Sequence, residues 1–166
     1  TEVGGVEADP AYVLPFPNAE EDGDEVLLDG VFQSDPEPAD DGLGDKWARR
    51  FRFLAMDRMQ SRLHRWRFNL VTGEVREEQL SDRISEFGMI NPGYAGHAYR
   101  YTYAATAKPG WFLFDGLVRH DLHTGAEERY AFGDGVFGSE TAMAPRSAVA
   151  AGEDAGYLVT LTTAMA

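Results

Sequence analysis

Glu86 and Glu140 are the residues of this 166-residue chain best placed to do chemistry. Glu86 lies in Ile84-Ser85-Glu86-Phe87-Gly88-Met89-Ile90-Asn91-Pro92. Glu140 lies in Val136-Phe137-Gly138-Ser139-Glu140-Thr141-Ala142-Met143-Ala144-Pro145-Arg146. Each is a lone carboxylate among apolar or small residues. A carboxylate buried without partners is costly, so the pair points to a polar centre in a dry interior. The plainer alternative is a carboxylate satisfied by backbone amides. The four histidines, His64, His97, His120 and His123, do not read as one metal site. His120 and His123 fall across a strand end and would face opposite sides in an extended chain. His64 sits beside Arg65 on a strand, exposed or half-exposed. His97 leads into a strand. The acidic stretches Glu20–Glu25 and Asp35–Asp45 lack the ligand spacing of a calcium loop and read as solvated turns.

The elements that must position the two carboxylates are strands. Tyr12–Phe16 and Glu25–Phe32 are extended runs joined by Glu20-Glu21-Asp22-Gly23-Asp24, a hairpin signal. Residues 34–45 form a Pro- and Gly-broken polar loop. Trp47, Phe51, Leu54 and Arg58 recur at helical spacing, which predicts one short helix near 46–60. Alternation resumes in Arg62–Leu70, followed by a turn at Val71-Thr72-Gly73-Glu74 and a return run, Val75–Leu80. Ala98–Thr106, Trp111–Leu122 (interrupted near Asp115-Gly116), Ala126–Phe132 and Gly156–Thr163 also read as strands. Asn69-Leu70-Val71-Thr72-Gly73-Glu74 echoes Asp121-Leu122-His123-Thr124-Gly125-Ala126. That offset is close to the roughly 40–50-residue period of propeller blades, which are four-stranded antiparallel sheets.

Composition bounds the rest. The apolar fraction of 43% is that of a globular protein. No cysteine is present, which excludes disulfides and thiolate chemistry, and a reducing cytoplasm is the simplest setting. A net charge of −13 argues against nucleic acid as a partner. Residues 1–45 contain no Lys or Arg, whereas Lys46–Arg67 is basic. That basic stretch reads as a solvated surface, with membrane contact through Lys46–Phe53 as the sharper alternative.

Several segments, in order, resemble the carotenoid cleavage oxygenase family, which includes the bacterial lignostilbene-type dioxygenases. They are Asn18–Val26, Leu63–Trp66 through Gly73, Glu86–Pro92, Phe114–Leu122, and Phe137–Glu140 with Pro145-Arg146. The resemblance implies a seven-bladed β-propeller, of which this chain supplies about three blades as one partial domain over 1–166. It implies Fe(II) on the axis, held by four His. Three Glu hydrogen-bond those His and fix their orientation. The implied reaction is dioxygen cleavage of an alkene in an apolar, carotenoid- or stilbene-like substrate. Glu86 and Glu140 match two of the three Glu positions. Pro15 stands where one His ligand is implied, and none of the four His of this chain falls at a ligand position. The chain therefore reads as an internal piece, inactive alone, with a non-catalytic propeller-blade module as the alternative. Unclosed blades expose strand edges, so self-association or a need for the propeller's remainder is expected.

Overall fold

Short strands separated by glycine turns fold as antiparallel meanders. The computed structural model describes residues 5, 7–8, 11–33, 60–109, 113–147 and 152–165. Within them lie β1 (Tyr12–Val13), β2 (Asn18–Asp22), β3 (Glu25–Gln33), β4 (Arg62–Asn69), β5 (Val75–Ile90), β6 (Tyr101–Ala107), β7 (Phe114–Asp121), β8 (Ala126–Ala131), β9 (Val136–Pro145) and β10 (Gly156–Ala164). The only helical element among the described residues is a 3-10 turn, Pro92–Tyr94. The helix predicted near 46–60 and the basic stretch 46–53 fall outside the described residues, Gln60 apart.

The strands form two meanders and a ribbon. In the first, β1 and β2 both pair with β3, β3 with β4, and β4 with the first half of β5. In the second, the last part of β5 pairs with β6, β6 with β7, and β7 with β8. β9 meets β7 through Phe114 and Gly138, then pairs along its length with β10. The echoed hexapeptides occupy the same corner of the two meanders. Asn69 accepts the amides of Val71 and Thr72, and Asp121 accepts those of His123 and Thr124. Gly73 and Gly125 both take positive φ, at 74° and 71°, which glycine adopts without steric cost.

Three sequence expectations need correction. The predicted loop at Glu20–Asp24 is largely strand β2, because its polar residues sit on an outer strand where only one edge needs partners. The predicted interruption at Asp115-Gly116 is a shift of register inside a continuous β7, with Thr106 paired to Gly116 and Ala107 to Phe114, rather than a strand end. There, a Cβ on Gly116 would lie 2.4 Å from the Tyr130 carbonyl, so glycine lets β8 approach rather than ending β7. The run Val75–Leu80 does not stop; β5 continues to Ile90 and carries Glu86. The core between these sheets includes Leu27, Val31, Leu63 and Trp66 on one side and Ala105, Phe114, Leu117 and Val118 on the other.

Candidate functional site

Glu86 is aimed by a β-bulge. Glu86 pairs with Ala105 and Met89 with Tyr103, so Phe87 and Gly88 together oppose Ala104. Phe87 has φ of 55°, an unusual conformation for a bulky residue. Its ring packs edge-on against Phe114 at 5.2 Å. A side chain at Gly88 would lie 2.6 Å from Pro17 Cγ, so the bulge needs glycine there. Bulges re-aim side chains and recur beside functional sites. Here Glu86, Phe87, Gly88 and Met89 all line one cleft.

That cleft measures about 520 Å³. Its walls are mainly apolar, with Tyr12, Leu14, Pro15 and Val31 facing Phe87 and Met89. Ser61, Glu86, Glu140 and Thr141 supply polar groups. The Ser61 hydroxyl donates to Glu86 Oε1, and Ser61 O accepts the Ser85 amide. Burial pushes the Glu86 carboxyl above its ordinary pKa, against the pull of Ser61 and of the Phe87 amide. Glu140, from β9, reaches the same cleft but is exposed. The dry interior expected for both carboxylates thus holds only around Glu86, because the β9–β10 ribbon is open to solvent on one side. Next to Glu140, Thr141 is 9% exposed, and its Oγ1 has no hydrogen-bond partner.

Pro15 lies on this cleft as well. The backbone of residues 13–17 bonds only toward β3: Leu14 N–H donates to Val31 O (3.3 Å), and Val31 N–H donates to Pro15 O (3.1 Å). Among the described residues the opposite edge has no ladder partner, the arrangement prolines require. The described lining offers carboxylates, hydroxyls and an amide, with no imidazole. That donor set does not fit the iron implied by the resemblance. Among the described residues no group of three or more His, Asp or Glu could hold a metal.

The histidines lie elsewhere. His64 is buried, contrary to the exposed or half-exposed setting expected. It stacks on Phe32 at 4.5 Å and packs against Trp66, with Nε2 3.3 Å from Glu77. His120 is buried with Nδ1 3.3 Å from Glu127. His97 and His123 are exposed in connections.

Sequence reasoning missed the strongest polar centre. Asp29 and Arg65 are direct cross-strand partners and form a bidentate pair with both contacts at 2.7 Å. Tyr99 donates its hydroxyl to the same carboxylate. Burial pushes the Arg65 guanidinium down, but the Asp29 hydrogen bond and charge outweigh it and raise the value. The available signal was Asp29 inside the apolar run of β3, whereas β4 carries three arginines and nothing local singles out Arg65. Ser61 had no signal. Three residues of the quoted segments are structural ties: Asn18 bonds the backbone of Gly96 and His97, Asn91 that of Gly93 and Glu153, and Asp115 takes bonds from Thr106 and Arg129.

Known proteins share this fold. The RPE65, retinal pigment epithelial membrane protein, family model matches residues 2–165. The chain is 34% identical over 112 residues to a probable carotenoid cleavage dioxygenase 4 of Arabidopsis thaliana, covering 63% of this chain and 19% of that protein. It is 27% identical over 165 residues to the apocarotenoid-15,15'-oxygenase of Synechocystis, covering 96% and 32%. The crystal structure of cobalt-substituted Synechocystis ACO superposes with a TM-score of 0.80 at 25% identity, over 97% of this chain and 34% of that one. The chain thus spans about a third or less of the length of these relatives. With matched motifs, a matched fold and nearly the whole chain covered, the protein belongs to the retinal pigment epithelial membrane protein family, together with the carotenoid cleavage oxygenases.

Proposed function

We propose that this chain forms part of the substrate cavity and second coordination layer of an alkene-cleaving oxygenase, and is inactive by itself. The observation that carries this reading is the convergence of Glu86, Glu140 and Pro15 on one apolar cleft, from three segments distant in sequence. In a complete oxygenase with Fe(II) on a seven-bladed axis, the metal supplies dioxygen activation. This chain's share is to orient imidazoles contributed by other polypeptide through Glu86 and Glu140, and to seat an apolar carotenoid- or stilbene-like molecule against Leu14, Phe87 and Met89. Closing such a propeller takes strands beyond the ten described, from further polypeptide or from other copies of the chain. The setting we propose is cytoplasmic.

Pro15 favours a second reading, a non-catalytic binding module built from propeller blades. One experiment separates the two from a complete enzyme: the 166-residue chain is loaded anaerobically with Fe(II), desalted, analysed for iron, and assayed for cleavage of an apocarotenoid. The expected result is substoichiometric iron and no cleavage. Stoichiometric iron would overturn the view that the chain lacks its ligand set, and cleavage would overturn both the module and the inactivity.

A further inference from the structure

We infer that the Glu86 cleft selects ligands carrying a cationic amine head on an apolar body. This rests on reading the cleft as the seat of an apolar molecule, and adds what the head of that molecule must be. Two carboxylates line the cleft, and no Lys, Arg or His is among its described lining residues. Among the described residues, neither Glu86 nor Glu140 pairs with a cation. Asp29 and Glu127, by contrast, are offset by cations, Arg65 and Arg83. The Ser61 hydroxyl offsets only part of the charge on Glu86, through one oxygen. Thr141, nine-tenths buried on the same wall, has a hydroxyl oxygen without a partner and adds another acceptor.

The chemistry follows from that inventory. A carboxylate facing an apolar wall without a counter-charge is unfavourable, and an ammonium group removes the imbalance with a charge-assisted hydrogen bond. In a relative with imidazoles around the metal, those rings would occupy the carboxylates. Pro15, on the same cleft, has no side-chain donor to offer, which leaves room for a ligand's ammonium group beside the carboxylates. A neutral alcohol meets only half of the requirement, and a carboxylate ligand is repelled. The apolar wall of Leu14, Val31 and Met89 accepts an alkyl body.

The test uses three probes with one body and three heads: octylamine, octanol and octanoate. Each is titrated into the 166-residue chain by calorimetry at neutral pH. Octylamine is expected to bind at least about tenfold more tightly than octanol, with octanoate weakest. Glu86→Gln should abolish the preference for the amine. Glu140→Gln, at an exposed position, should reduce the preference by a smaller factor. Equal affinity of octylamine and octanol would overturn the inference while leaving the cleft as an apolar seat. Failure of all three probes to bind would overturn both. A preference for octylamine that survives both substitutions would place the amine elsewhere and also overturn the inference.

Discussion

The molecule holds two interior carboxylates in opposite ways. Asp29 is 2% exposed and meets a guanidinium through both oxygens and a phenol through one. Glu86 has one hydroxyl and one backbone amide, then an apolar cleft. The first is closed, and every lone pair of consequence has a donor inside the protein. The second is open, with bonding capacity left over and a space in front of it. Burial of a charge therefore does not by itself mark a working site. What marks it is incomplete satisfaction beside a cavity of ligand size. On that criterion the Asp29 centre is scaffold, and the Glu86 cleft is the candidate ligand seat.

The largest effect that could break this contrast is at the closed centre. Arg65→Met strands Asp29 without its counter-charge and should cost about 3–5 kcal/mol, read as a lower urea midpoint. A loss below about 1 kcal/mol would mean that the centre is as open as the cleft. Next is the backbone that aims Glu86. Gly88→Ala drives a methyl into Pro17 and should cost about 1–3 kcal/mol in urea unfolding. A fully stable variant would show that the bulge tolerates a side chain, and with it a different direction for Glu86.

His120 is an intermediate case, with Glu127 on one nitrogen and no partner on the other. Burial pushes its pKa below 6.5, against the pull of Glu127 and with help from Arg83. Above that value both folded and unfolded chains are neutral at this ring. As pH falls below 6.5, the unfolded chain takes up a proton that the folded one resists, so stability declines until the lowered value is passed. His64, also held down first by burial, adds in the same direction. Ring-proton titration should place both midpoints below 6.5; a His120 midpoint above it would remove this source of acid sensitivity.

The smallest effect sharpens the open site. The folded-state pKa of Glu86 is raised above 4.5, so its contribution to stability is complete below that value and is lost as pH rises through the raised one. Glu86→Gln lacks this titration. Melting temperatures of parent and variant should agree in acid and diverge toward neutral pH, with the variant higher. A parent more stable at neutral pH would mean that a cation already pairs with Glu86.

Much of this was legible in sequence. The echoed hexapeptides announced a repeated corner, because an Asx side chain and a glycine at fixed spacing determine the backbone locally. Strand β4 was legible from alternation, and β8 and β10 from strand-forming residues bounded by turns. β2 was not, since nothing local tells a polar run that it will be an outer strand. The carboxylates of the cleft were found through motif order, but the exposure of Glu140 was not, because exposure depends on what packs over β9. The Asp29–Arg65 pair needed the register of β3 on β4, which no single segment contains.

β5 belongs to both meanders at once. Its early residues are hydrogen-bonded to β4 and its late ones to β6, with Ser85 tied back to Ser61 at the crossing. Neither sheet can therefore melt without stripping a strand from the other. Amide exchange should report the pair as one protected block, and a protease should find no cleavable seam between them.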